Sequence, residues 1–173
     1  YLYGLIMKLF PLIKEIISEV GEGSAKPYAF STKFEEGDSK FSHRIVDFKT
    51  EDDDQYELVL HAYWGDNWIT DTYGSHITID FFLTGPSEFR DGDTVVNKGR
   101  LFRVMATIVA ATKEFMNDID YKEKGIDMLR ISPTKTRDDD DDRRANLYTA
   151  YIKRQLPVSS VKYDGEEIVA KLK

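Results

Sequence analysis

Two stretches, Tyr56–Trp64 and His76–Leu83, alternate apolar and polar residues with a period of two, and this alternation constrains the chain more than any other feature. Tyr56, Leu58, Leu60, Ala62 and Trp64 share one face of the first run, and Ile77, Ile79, Phe81 and Leu83 share one face of the second. Successive side chains of a pleated strand point to opposite sides, so each run has one face to bury and one to leave wet. Gly65-Asp66-Asn67 and the Asp71 to Gly74 stretch separate the two as turn residues. Upstream, Pro27 to Phe34 and Phe41 to Lys49 flank Glu35-Glu36-Gly37-Asp38 and read as a hairpin. The first half is therefore expected to be an antiparallel meander.

Helical spacing supplies what packs on it. Leu101, Val104, Met105, Ile108, Thr112, Phe115 and Met116 recur on one face, with Ala106, Ala110 and Ala111 allowing close approach to a sheet. An earlier helix is expected over Leu9, Leu12, Ile13, Ile16, Ile17 and Val20, stopped by Gly21 and Gly23, and a shorter one over Leu147 to Gln155 before Pro157. Between the later helices, Ile126 to Ser132 reads as a strand with both faces partly apolar, as for a strand covered on two sides. Val161 to Ala170 closes the chain as a hairpin turning at Asp164-Gly165. The expected class is α/β in the α+β sense: an N-terminal helix, a mainly antiparallel sheet meander, then helix, strand, helix and hairpin. Thr84 to Gly99, rich in Gly, Pro, Ser and Asp, is longer than the roughly 12–15 residues beyond which loops are usually functional.

A length of 173 residues suits one domain, read here as residues 7–173, with residues 1–6 as a disordered or non-native extension ahead of a natural start at Met7. Lys8, Pro11, Lys14 and Glu15 interrupt the apolar opening, leaving no run near the roughly 20 residues of a spanning helix, so no membrane association is expected. Lys and Arg total 24 against 31 Asp and Glu, a net charge of −7, which opposes non-specific binding to nucleic acid. With no cysteine the chain has neither disulfides nor a thiol nucleophile, in keeping with a reducing, cytoplasmic setting.

Local motifs for chemistry are sparse. His43, His61 and His76 have no spacing that joins ligands locally, and such strand histidines are more often solvated or hydrogen-bonded; a site assembled in three dimensions stays open. The acidic runs Glu51 to Asp54 and Asp138 to Asp142 lack the spaced carboxylates of a calcium loop and read as solvated, so no metal is expected. Ser132, Ser159 and Ser160 have no nucleophile-elbow context. Tyr56, Tyr63, Trp64, Trp68, Phe81 and Phe82 read as core or interface rather than a base-stacking platform, since basic residues are not interleaved with them. Cations do gather at Lys98, Arg100 and Arg103, where Gly99 permits close backbone approach at a helix start, a plausible phosphate seat.

The element order, with a basic-Gly helix start and a later helix carrying Leu147-Tyr148, resembles the GNAT-type N-acyltransferase fold over most of 7–173. In that family an acyl-CoA pyrophosphate sits on N–H groups of the loop entering the central helix, here Asn97-Lys98-Gly99-Arg100-Leu101, with one of the family's glycines present and Val96 at its Gln/Arg position. Arg143-Arg144-Ala145-Asn146-Leu147-Tyr148 resembles the family's second signature. The resemblance implies acetyl-CoA or another acyl-CoA as cofactor, bound by Lys98, Gly99, Arg100 and Arg103, a small-molecule or protein amine as acceptor, and Tyr148 as the acid that protonates the leaving thiolate. The segments Met7 to Tyr28 and Arg103 to Thr107 also look like those of small proteins encoded by tailed bacteriophages. That likeness implies a bacterial host cytoplasm and an alternative role as a non-catalytic interaction or virion-associated protein with a protein partner.

Overall fold

In the computed structural model the alternating runs pair into one sheet, and the two later helical runs lie across one of its faces. The structure describes residues 25–51, 53–84, 98–132, 141–163 and 165–173. The expected helix at Leu9 to Val20, most of the Thr84 to Gly99 loop and Asp138 to Asp140 lie outside the described residues. In chain order the elements are β1 (Phe30–Gly37), β2 (Phe41–Lys49), β3 (Gln55–Tyr63), α1 (Trp68–Tyr73), β4 (His76–Leu83), α2 (Lys98–Asp118), β5 (Met128–Ile131), α3 (Asp141–Gln155), β6 (Val158–Tyr163) and β7 (Ile168–Leu172). The seven strands are ordered β1-β2-β3-β4-β5-β7-β6. Every neighbouring pair is antiparallel except β4 with β5, where His76 to Ile79 run parallel to Met128 to Ile131.

One face carries the core. Val46, Phe48, Leu58, Leu60, Ile77, Ile79, Leu129, Ile131, Ile168 and Ala170 are buried against Val104, Met105, Ile108, Phe115 and Met116 of α2 and Tyr148, Tyr151 and Ile152 of α3. Two hydroxyls buried in α2 are satisfied within the helix, Thr107 donating to the Arg103 carbonyl and Thr112 to that of Ile108, both at 2.7 Å. At the far end of α2, Arg44 reaches from β2 into this layer, 5.2 Å over the Phe115 ring, and bonds Glu35 and Asp118 at 2.7 and 2.8 Å. Burial works against the guanidinium's charge, and those two carboxylates outweigh it, so its pKa moves up.

Two details depart from the sequence reading. Trp68–Tyr73 is helical rather than part of a turn, because the Asn67 side chain accepts from the Ile69 and Thr70 N–H groups while the Thr70 hydroxyl accepts from the Asn67 N–H. Among the described residues, helices cover β5 on one side only: Leu129 and Ile131 are buried, whereas Met128 and Arg130 are half-buried on the opposite face. At the sheet's edge β1 is exposed along nearly its whole length and is interrupted by a bulge between Thr32 and Phe34, a feature that discourages further strand pairing.

Because β5 is short and has one packed face, its hold on the core rests on Leu129 and Ile131. Truncating fully buried Leu129 to Ala is expected to lower stability in urea by about 3 kcal/mol, and Met128→Ala by less than half as much. Equal losses would contradict the one-sided packing.

Candidate functional site

Parallel neighbours cannot be joined by a tight turn, so the chain between β4 and β5 must cross the sheet, and α2 makes that crossing antiparallel to both strands. Its first turn, Lys98 to Arg100, consequently lies toward the end of the sheet at which β4 finishes. On α3, the Tyr148 ring stands edge-on to Phe81 in the last part of β4, with centroids 5.8 Å apart at 78°. Tyr148 is 7% exposed and lines a small apolar cavity with Ile79, Met105, Ile108 and Ile152. The fold thus brings the α2 start and Tyr148 to the same end of the parallel pair.

Arg103, one turn further along, is differently engaged. Its guanidinium lies 3.9 Å from the centre of the Tyr28 ring, its Nε donates to the Lys26 carbonyl at 3.0 Å, and it pairs with Glu51. Tyr28 also donates its hydroxyl to Glu51 and its N–H to the Thr107 hydroxyl. Together these contacts tie the segment before β1 and the loop after β2 to α2, which gives Arg103 a fastening role within the fold. For an acyl-CoA pyrophosphate, the fit then rests on the backbone N–H groups of the Lys98 to Arg100 turn, which a helix start leaves without intrahelical partners. Within the first acidic run, Glu51 meets Arg103 and Asp53 meets Lys49 at 2.9 Å. Asp141 and Asp142 of the second run form the first residues of α3.

The sheet's other face holds a second concentration of functional groups, and among the described residues no helix packs across its centre. Cross-strand register lines up Glu36 of β1, His43 of β2, His61 of β3, Thr78 of β4 and Arg130 of β5 in one row. His43 and His61 stack at 4.1 Å with 17° between their planes. Burial, and then the neighbouring His43, hold His61 below the usual histidine value, against the pull of Glu36. In the adjacent row His76 is buried between Tyr63 and Tyr73, its Nδ1 2.7 Å from the Gly74 carbonyl. Arg130 forms a bidentate pair with Glu167, closest at 2.7 Å, and lies 4.2 Å over the Tyr73 ring. Asp80 is half-buried beside this pair. Among the described residues no three His, Cys, Asp or Glu side chains are disposed to hold a metal ion together, and no helix is long and apolar enough to cross a membrane.

No protein-family model, curated protein or solved structure matches this chain.

The histidine row escapes a reading of local motifs because its members are far apart in sequence. Its signal lies in hairpin register: closing β2 onto β3 through Thr50 to Asp54, with Lys49 opposite Gln55, sets His43 opposite His61. Asp80 was equally unmarked. Burial raises its carboxyl above the ordinary 3.8, a hydrogen bond from Ser132 lowers it in part, and the charge of Glu167 raises it further. A carboxyl raised in the folded state disfavours folding when ionised, and this penalty is relieved as pH falls, since the folded chain takes up the proton before the unfolded one. Asp80→Asn is therefore expected to raise Tm at pH 7, with its advantage over the parent shrinking as pH is lowered to 4. An advantage that stays constant over this range would remove Asp80 from the account.

Proposed function

We propose that this protein is a CoA-dependent N-acyltransferase, moving an acyl group from a CoA thioester to an amine. The observation that carries the reading is the shared position of the α2 start and Tyr148 at the end of the parallel β4–β5 pair. In support, the described elements follow the order on which the GNAT-type resemblance rests: meander, helix, strand, helix and two closing strands. The pyrophosphate would lie on the Lys98, Gly99 and Arg100 turn, where N–H groups that a helix start leaves without intrahelical partners and the helix dipole favour negative charge. Tyr148 would donate a proton to the departing thiolate, and because it is largely buried, the acyl end of the ligand must reach toward the Phe81 side of α3.

A second reading, a non-catalytic protein that docks a protein partner, is favoured by the face away from the helices. Phe34 and Phe82 are exposed there at 43% and 52%, and Trp68 on α1 at 75%. The two readings use opposite sides of the sheet and are separable in one experiment.

Titration calorimetry with acetyl-CoA is expected to show micromolar binding that falls at least tenfold in a Lys98→Glu/Arg100→Glu double variant, while Phe82→Ser binds as the parent does. In an amine-acetylation assay, Tyr148→Phe should lower kcat more than it changes KM. Absence of binding at millimolar acetyl-CoA would remove the enzyme reading and leave the docking one.

A further inference from the structure

We propose that the His43–His61 pair on the face away from the helices binds a single divalent ion of the Ni2+, Cu2+ or Zn2+ class, with both imidazoles as ligands and Glu36 as the group that orients His43. Three observations carry this. First, the donors come from neighbouring strands in direct register, Glu36 opposite His43 and His43 opposite His61, so the sheet fixes their spacing without relying on a loop. Second, the two nitrogens of His43 are in different situations. Nδ1 lies 3.7 Å from a Glu36 carboxylate oxygen, while Nε2 is buried and finds no hydrogen-bond partner among the described residues. Ligating histidines commonly turn one ring nitrogen to a carboxylate and give the other to the metal; here Glu36 stands on the Nδ1 side, just beyond hydrogen-bond distance, and Nε2 is the nitrogen left over. A buried ring nitrogen without a partner is otherwise unfavourable.

Third, the two rings are neighbours. Two imidazoles on one metal hold their ligating nitrogens no more than about 4 Å apart, twice the usual bond of roughly 2.0–2.1 Å. The ring centroids are 4.1 Å apart and the planes nearly parallel, so the rings are close but their nitrogens do not yet face a common point. Convergence requires the rings to rotate out of their parallel stack, with Phe34, which now sits edge-on to His43 at 5.5 Å and is 43% exposed, swinging aside to admit the ion. Imidazole suits these metals better than the hard cations, which need more oxygen ligands than this row offers. Water completes the coordination, as expected for two protein ligands.

The test is calorimetric titration of the untagged full chain with NiCl2 at pH 7.5, in excess Mg2+ to occupy the carboxylate-rich loops. One ion per chain is expected, with micromolar affinity. His61→Asn should weaken binding at least tenfold. Glu36→Gln, a conservative change at an exposed edge, should weaken it by about tenfold or more through loss of ring orientation, and circular dichroism should show both variants folded. If His61→Asn is misfolded, Glu36→Gln and His43→Gln decide the matter. No binding at 1 mM Ni2+, or binding unchanged in folded His43→Gln and Glu36→Gln proteins, would overturn the proposal and leave the stacked pair as packing alone. Acetyl-CoA binding is measured separately and bears on neither outcome.

Discussion

The short parallel pairing of β4 with β5 is the constraint on which the rest of this structure depends. It joins residues 76–79 to residues 128–131, far apart in sequence, and links the antiparallel meander to the closing β7–β6 pair. A parallel pair needs a crossover, and the crossover needs an apolar surface to lie on. That requirement explains why α2 is buried along most of its length and carries Ala106 and Ala111 where it meets its neighbours. It also explains why Leu129, in a four-residue strand, is fully buried.

Placing both later helices on one face divides the chemistry in two. Toward the helices, polar groups serve the fold: Thr107 and Thr112 back-bond within α2, and Arg44 meets carboxylates at its far end. Arg103 belongs with these. A residue that fastens Tyr28, Lys26 and Glu51 to α2 has little freedom to follow a ligand, which moves the proposed phosphate contact to the turn before it. The opposite face gathers a second set of polar groups, exposed Glu36 and half-buried His43, His61, Asp80, Arg130 and Glu167, distributed over neighbouring strands.

Much of the fold was legible in the residues because most of it is local pattern. The alternations at Tyr56–Trp64 and His76–Leu83 became β3 and β4 with the expected inward faces at Leu58, Leu60, Ile77 and Ile79, and the helical spacing from Leu101 to Met116 became the body of α2. What stayed hidden depends on partners distant in sequence or on single hydrogen bonds. Met128-Leu129-Arg130-Ile131 is too short a run to reveal which side is covered, and six-residue α1 depends on the side chains of Asn67 and Thr70 rather than on periodicity. The basic start of α2 and Tyr148 could be singled out in the sequence, but their common position at the end of β4 could not, since it follows from the crossover. Likewise, the histidines were visible as residues and became a row only through strand register.

The central claim, that a CoA thioester is held at the end of the parallel pair, is tested most directly by mapping backbone amide shifts in the isotopically labelled protein on addition of acetyl-CoA. The account predicts the largest shifts at Lys98, Gly99 and Arg100, with smaller ones at Phe81 and Tyr148, and little change at His43, His61 or Thr78. Shifts confined to the opposite face, or none at saturating ligand, would contradict it.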